Sequence, residues 1–299
     1  MTVNAQEVIT AATFNGLQSR IETVLGQGFS DTGYGQTLSS SIVAANTVIT
    51  ALHLTNLKSD IDKCRAHQTG SLTTLSTIAS TDRIGASESI DKDGTTDTAK
   101  GINDYLALVN DLEGDKQLCD DTQASVEAVL SSTRSSEWNG TIIHKFTVTF
   151  TDAEARRHFF NAGGQLRFQA NLSNGSGAKD SDWAAMLAAM GTISMASHAT
   201  TQSGSGVPTA IGNFELTSSS QRIFHKLGTA YDYANNMYQV NAKTLADNII
   251  EVDIQFQDNA DGGGDPNISG DILSSITHRR PSGTYVSIPS PTYNNTSEL

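Results

Sequence analysis

The hydrophobic period of this chain changes near residue 140, and this change constrains the fold more than any other feature. Before that point apolar residues recur at helical spacing, as Phe14, Leu17 and Ile21 do. After it, apolar and polar residues alternate over positions 142–150, which is typical of a strand with one face towards the core and one face towards solvent. Such strands favour antiparallel pairing. The sequence therefore predicts an α+β protein: a helical N-terminal module with a repeated helix hairpin, then a mixed, mainly antiparallel β-sheet domain with short helices.

The repeated hairpin is predicted from an internal repeat with an offset of 40 residues. Residues 8–21 (VITAATFNGLQSRI) and 48–61 (VITALHLTNLKSDI) are identical at seven of fourteen positions. In each copy a threonine follows two β-branched residues, and threonine is a good N-cap. The repeat predicts two amphipathic helices, 11–25 and 51–67, that pack on each other and are joined by a glycine-rich loop.

Further elements follow from periodicity and capping signals. Helices are predicted at 98–113, 122–130, 152–160 and 183–190. Strands are predicted at 142–150, 166–172, 192–198, 213–217, 221–226, 236–242 and 250–256.

These elements divide the chain into four predicted segments. Residues 1–70 form the helix-hairpin module, and 71–139 form an acidic connecting module of loop and helices. Residues 140–280 form the β-rich domain. Residues 281–299 contain three prolines, which predicts an extended tail that lies along a neighbouring molecule.

The charge balance excludes several classes of partner. Of the 299 residues, 19 are Lys or Arg and 32 are Asp or Glu, so the formal net charge is −13. Phosphates repel such a chain, which predicts no binding to nucleic acid or to an anionic membrane. Two cysteines are too few for a disulfide scaffold or a zinc cluster. Neither a signal peptide nor a spanning apolar run is visible, so we expect a soluble intracellular or intravirion protein.

Two glycine-rich segments invite comparison with phosphate-binding loops. GQGFSDTGYG (26–35) lacks the spacing of dinucleotide-binding loops, and NGSGAKDS (174–181) lacks that of the P-loop. Both are interpreted as ordinary loops, and no cofactor is predicted.

Acidic residues offer two candidate calcium sites. Asp91, Asp93 and Asp97 place oxygens at alternate positions, as calcium loops do, but position twelve is Ile102 where an EF-hand has glutamate. An acidic turn is therefore preferred and no metal is predicted, although ion binding by these three residues stays open. Asp261 and Asp265 form a weaker candidate of the same kind.

The remaining chemical groups form no catalytic constellation. Arg156, Arg157 and His158 make a basic cluster that binds a carboxylate or sugar acid or, as we prefer, pairs with acidic neighbours across an interface. His144 falls on the apolar side of its strand and is interpreted as a satisfied core histidine, and Cys64 as a buried small hydrophobe. No catalytic residue is predicted.

Residues 146–177 (FTVTFTDAEARRHFFNAGGQLRFQANLSNGSG) carry a resemblance to a known family. Together with the GYGQ loop, Gly33–Gln36, this segment resembles tail-associated virion structural proteins of cyanophages and other aquatic tailed bacteriophages. The shared feature is a Phe-Phe-Asn-x-Gly-Gly turn that leads into an Arg-Phe strand. In this chain its residues are Phe159, Phe160, Asn161, Gly163, Gly164, Arg167 and Phe168.

The resemblance implies a non-enzymatic particle component in the virion tail, present in several copies as a symmetric oligomer. Its implied partners are copies of itself and other phage tail proteins, at a baseplate, fibre attachment or tail tip. No catalytic residues accompany the resemblance.

Three alternatives stay open at this stage. One is a component of the phage neck. Another is a receptor-binding adhesin whose C-terminal domain contacts host surface polysaccharide, with stacking faces supplied by Trp183, Tyr231, Tyr233 and Tyr238. The last is a tail-borne enzyme that degrades the host envelope.

Overall fold

A computed structural model describes residues 9–80, 83–84, 89–90, 96–97, 101–260 and 265–298. It confirms the predicted α+β class. Within those ranges, no helix combines the length and apolar character needed to cross a membrane.

The helices and strands follow in chain order. The α-helices are α1 Ala11–Leu25, α2 Ala51–Thr69, α3 Ile102–Gly114, α4 Ala153–Asn161 and α5 Ala178–Met190. The strands are β1 Arg83–Ile84, β2 Ser89–Ile90, β3 Thr96–Asp97, β4 Ala124–Arg134, β5 Thr141–Thr149, β6 Gln165–Ser173, β7 Ile193–Met195, β8 Thr200–Gln202, β9 Val207–Pro208, β10 Gln221–Leu227, β11 Met237–Ala246, β12 Ile249–Gln257, β13 Asp271–Pro281 and β14 Thr292–Glu298.

The chain forms two compact units, whose limits differ from the four predicted segments. Unit 1 contains the described residues up to Ala124, with Asn161–Gly163 and Pro281–Ile288. Unit 2 contains Ser125–Phe160, Gly164–Arg280 and the described residues from Pro289 onward.

Unit 1 is built on three helices, and the internal repeat sets the start of two of them. Thr10 and Thr50 occupy equivalent N-cap positions, and each hydroxyl accepts a hydrogen bond from the backbone N–H three residues later. Helices α1 and α2 therefore begin 40 residues apart, at Ala11 and Ala51. Their apolar stripes are buried, and α3 packs on both helices. The predicted helix pair is confirmed.

A buried carboxylate on α2 organises the loop that precedes this helix. Asp60 is inaccessible to solvent, and it accepts hydrogen bonds from the backbone N–H groups of Ser39 and Ser40 and from the Ser40 hydroxyl, at 2.7–3.0 Å. Lys63 lies 2.9 Å from the same carboxylate and balances its charge. This acidic residue therefore serves loop structure.

Unit 2 contains a six-stranded sheet and a five-stranded sheet. The six-stranded sheet has the order β14-β5-β12-β11-β10-β9 and is antiparallel throughout. The five-stranded sheet has the order β4-β13-β6-β7-β8. Every second residue of β5 is buried, and so is every second residue of β13 from Ile272 to His278. Nδ1 of His144 on β5 lies 2.8 Å from the Ser274 hydroxyl on β13, so the buried faces of the two sheets meet.

Burial of His144 gives unit 2 a pH-dependent stability. The side chain is 2 % exposed, and desolvation, aided by the positive charge of Arg134, lowers its pKa from 6.5 to about 4. As the pH falls, His144 becomes protonated in the unfolded chain before it does so in the folded protein. The stability of unit 2 is therefore full above pH 6.5 and falls as the pH drops towards 4. We expect a loss of about 3 kcal/mol across this window.

The variant His144→Gln keeps a polar partner for Ser274 but does not titrate. Urea unfolding at several pH values between 7.5 and 4 is the measurement, with His198→Gln as the control because His198 is exposed. A stability profile as steep in His144→Gln as in the wild type would contradict this assignment.

Two sequence-based element predictions are wrong. The predicted helix 122–130 is a 3-10 turn at Asp121–Gln123 followed by strand β4. Glu127 on β4 pairs with Arg280 at 2.6 Å and with His278 at 3.2 Å on neighbouring β13, and pairing of this kind outweighs helix propensity.

The predicted strand 213–217 is instead a 3-10 turn, Asn213–Glu215. The Glu215 carboxylate accepts the backbone N–H of Gly212, which closes the turn. The buried side chain of Asn213 accepts a hydrogen bond from Arg156.

The last strands of the chain were not predicted individually. Strand β13 is paired with β6, and β14 is an edge strand paired with β5 of the same chain. The end of the chain is extended, as expected from its prolines, but residues 292–298 pair within the molecule. Tyr293 anchors this strand through its hydroxyl, 2.6 Å from Nδ1 of His278.

Candidate functional site

The Phe-Phe-Asn-x-Gly-Gly turn connects α4 to β6, and its aromatic residues belong to the core of unit 2. Phe159, Phe160 and Phe168 have no solvent exposure. Phe159 and Phe160 pack edge-to-face with centroids 5.1 Å apart, and both contact Phe150 at the end of β5. Gly164 closes the turn because its N–H donates to the Phe159 carbonyl at 2.9 Å.

The middle of this turn, Asn161–Gly163, belongs to unit 1. The Asn161 amide donates to the backbone carbonyls of Ser30 and Thr32, at 3.2 and 2.7 Å. Both carbonyls lie in the glycine-rich loop between α1 and α2. The two features that carry the family resemblance, this turn and the loop with the GYGQ sequence, are therefore in direct contact.

The glycine-rich loop is held by its own backbone. Tyr34 N–H donates to Val24, and Gly35 N–H to Gly26, at 2.9 and 2.7 Å. Gly33 has a φ of +93°, and a side chain there would overlap the Gln27 carbonyl. The interpretation of 26–35 as a structural loop is confirmed.

The second glycine-rich segment, 174–181, forms the start of α5. Asp180 accepts hydrogen bonds from the backbone N–H groups of Ser176 and Gly177, and Asp265 accepts that of Lys179, all at 3.2 Å. Burial on its own raises the pKa of the Asp180 carboxyl, but the hydrogen bonds from the Ser269 hydroxyl and from backbone N–H groups together outweigh it, so the pKa is lowered. Residues 174–177 form a loop, as interpreted, whereas residues 178–181 belong to the first turn of α5, so the loop interpretation is wrong for them. The protein's own carboxylates accept the backbone N–H groups at this helix start.

The candidate calcium residues fall largely outside the described part of the chain. Asp91, Asp93 and Asp261 are outside it, while Asp97 lies in β3 and Asp265 caps α5 as described above. Within the described residues, no cluster of three or more His, Cys, Asp or Glu side chains is placed to hold a metal ion.

The basic cluster on α4 is engaged within unit 2. Arg157 and His158 both approach Glu154 of the same helix, at 2.5 and 3.6 Å. Arg156 is buried and donates to Asn213 and Thr244, and this burial lowers its pKa to about 10. Arg157 and His158 thus pair with an acidic residue of their own helix, not across an interface, and Arg156 connects α4 to the 3-10 turn at Asn213 and to β11.

The two cysteines differ in their surroundings within unit 1. Cys64 is fully buried on α2, as predicted, and burial raises the pKa of its thiol. Cys119 is partly exposed, with its sulfur 3.9 Å from Nδ1 of His67. Nε2 of His67 lies 2.8 Å from the Ala162 carbonyl, which only accepts, so Nε2 carries a proton and donates to it.

This difference predicts selective alkylation. In the folded protein we expect iodoacetamide to modify Cys119 and to leave Cys64 intact, because the thiolate reacts and Cys64 is both inaccessible and held protonated. Peptide mass spectrometry after a timed reaction measures both sites, and the urea-unfolded chain provides the control in which both react. Equal modification of the two cysteines in the folded protein would contradict this assignment.

The predicted stacking platform for sugars is wrong in three of its four members. Trp183 and Tyr238 have no solvent exposure, and Tyr233 is 5 % exposed. Trp183 contacts Trp138 and Phe256 in the core of unit 2. Only Tyr231 of this set is exposed, at 97 %. Trp183 and Tyr238 are buried because they lie on the core-facing sides of α5 and β11, whereas Tyr233 belongs to a short 3-10 turn.

A polar groove lies on the outer face of the five-stranded sheet, where β6, β7 and β8 are adjacent. Its volume is about 380 Å³. Its lining consists of hydroxyl, amide and guanidinium side chains from these strands and the segments beside them: Gln165, Arg167, Thr192, Ser194, Thr201, Gln202 and Ser203. Arg167 of the predicted motif thus belongs to the lining of this groove.

Sequence reasoning missed the rest of this groove. Part of the groove could have been found from the sequence of β6. Its polar residues alternate with buried Leu166 and Phe168, so Gln165 and Arg167 lie on one face of the strand. Strand β8 is only three residues long, so it gave no periodic signal that would bring Thr201 to the same surface.

Comparisons of the chain with models of protein families, with curated proteins and with solved structures gave no match.

Proposed function

We propose that this protein is a non-enzymatic structural component of a tailed bacteriophage particle, associated with the tail as part of a baseplate, fibre attachment or tail tip. The observation that carries the proposal is the role of the residues on which the resemblance rests. Phe159, Phe160 and Phe168 are core packing residues, and Asn161 satisfies two backbone carbonyls of the glycine-rich loop. These are the properties of a scaffold motif.

Two further observations support a scaffold role. Acidic side chains such as Asp60 and Asp180 are used to fix loops, each by several hydrogen bonds to backbone N–H groups. The outer faces of the sheets carry polar residues suited to hydrogen-bonded contacts with neighbouring subunits. We propose copies of this chain and other phage tail proteins as partners, in a symmetric oligomer.

Mass spectrometry of purified particles tests this proposal. Particles of the phage that encodes this chain, banded by density gradient, are expected to contain it in several copies relative to the portal protein. A lysate fraction without particles is the control. Recovery of the chain only in that fraction would contradict a structural role and would favour the enzyme alternative.

A further inference from the structure

Three exposed aliphatic side chains follow one another closely in unit 1. Ile42, Val48 and Leu52 are 64 %, 78 % and 65 % exposed. Within the part of the chain that the structure describes, no other stretch of eleven residues contains three exposed large hydrophobic side chains. Single exposed aliphatic groups are ordinary, but a cluster of them marks an interaction site. We call these three residues the apolar face.

The apolar face lies where α1 and α2 begin. The rings of Phe14 and His53, each near the start of its helix, are 5.7 Å apart, so the two helix starts are adjacent. Val48 and Leu52 each lie two residues from Thr50, the N-cap of α2. These two side chains are therefore presented at the end of unit 1 where both helices start.

The segment that carries Ile42 is fixed against α1. The Asn15 side chain donates to the Val43 carbonyl at 2.9 Å and accepts the Val43 N–H at 2.8 Å. A turn follows, in which Thr47 N–H donates to the Ala44 carbonyl at 3.1 Å. The exposure of Ile42 is thus imposed by defined hydrogen bonds, and the face is organised before any partner arrives, which reduces the entropy cost of binding.

The distribution of charge indicates what covers this face. Residues 9–19 and 32–57 contain no Asp, Glu, Lys or Arg, although the whole chain has a net charge of −13. Copies of such a chain repel each other, and the repulsion is weakest where a surface carries no charge. A basic partner would instead bind where the carboxylates are. The centres of protein interfaces are depleted of charged residues in the same way, so the face fits a second copy.

We propose that the apolar face pairs with the same face of a second copy of this chain about a two-fold axis. Contacts of this kind are self-complementary, because each residue meets an equivalent surface on the other copy. The inference rests on the proposed function, which includes a symmetric oligomer, and deepens it by naming the contact between copies.

Sedimentation equilibrium of the full chain, at about 50 and 500 mM sodium chloride, tests the proposal. We expect a dimer that is tighter at the higher salt concentration, because salt screens the repulsion between two chains of charge −13. Leu52→Glu should weaken the dimer about tenfold or more, because it places two carboxylates in an apolar contact. Glutamate is favourable in the first turn of a helix, so the fold of this variant should be retained.

Leu72→Glu is the matched control. Leu72 is 53 % exposed in unit 1 but lies outside the apolar face, so the same change of charge should leave the dimer as in the wild type. Three results would overturn the inference: a wild type that is monomeric at about 100 μM in both salt concentrations, equal weakening by Leu52→Glu and Leu72→Glu, or a dimer that dissociates as salt is added. These readouts use the isolated protein. A monomeric chain that is still found in particles would refute this face alone and leave the structural role standing.

Discussion

Replacing Gly164 with alanine is expected to destabilise unit 2 by about 3 kcal/mol or more. A Cβ atom at this position would lie 2.6 and 2.7 Å from the ring carbons of Phe159 and would overlap the Phe159 carbonyl oxygen. Neither group has room to move, because Phe159 is fully buried against Phe150 and Phe160 and its carbonyl accepts the Gly164 N–H. The turn must therefore open or the aromatic cluster must shift.

Gly114→Ala provides the control for this prediction. Gly114 is the last residue of α3, and a Cβ atom there meets nothing within 4 Å. Alanine favours the helix over glycine by about 1 kcal/mol, so this variant should be neutral or slightly stabilised. Urea unfolding followed by far-UV circular dichroism measures both variants. Equal stability of the two would contradict the close packing described for the turn.

Removing the ammonium group of Lys179 is expected to destabilise unit 2 about as much as Gly164→Ala does. Nζ of Lys179 lies 2.9 Å from the Asp258 carboxylate, and both side chains are at most 2 % exposed. The same ammonium group is 3.4 Å from the carbonyls of Ala260 and Pro266. Lys179→Met leaves a buried carboxylate without its counter-ion, and breaking such a pair typically costs about 3–5 kcal/mol.

Two comparisons separate this charge effect from a loss of packing. The double variant Lys179→Met/Asp258→Leu removes both charges and should recover a large part of the lost stability. Lys116→Met breaks the exposed pair with Asp31, whose side chains are 29 % and 36 % exposed, and should cost less than about 1 kcal/mol.

Both tryptophans, Trp138 and Trp183, lie in unit 2, so their fluorescence during urea unfolding reports the stability of the Lys179 variants directly. Lys116 lies in unit 1, so the stability of Lys116→Met is followed by far-UV circular dichroism instead. A double variant as unstable as Lys179→Met would contradict the assigned role of the ion pair.

The elements that sequence reasoning located are those in which local signals agree. Helices α1 and α2 have a threonine cap, an apolar stripe and a repeated copy, and the predicted starts at 11 and 51 match the structure. Strands β5 and β6 alternate between apolar and polar residues, as β12 does from Ile250 onward, and all three were found for this reason.

The errors lie where the decisive interaction is distant in sequence. Strand β4 contains alanine, glutamate and leucine, which favour a helix, and its partners Arg280 and His278 follow about 150 residues later. Helix α5 begins at Ala178, five residues before the predicted start, because Asp180 and Asp265 cap it, and Asp265 lies far along the chain. The groove was missed for the same reason, because its lining comes from three strands that are separated in the sequence.

The proposed place of this protein in the tail is tested most directly by immunogold electron microscopy of purified phage particles, with antibody against residues 140–299. The proposal predicts gold at the tail, on its distal end or at the fibre attachments, and none on particles of an unrelated phage. Label confined to the head–tail junction would assign the protein to the neck. Absence of label, with absence of its peptides from the particles, would contradict a structural role in the virion.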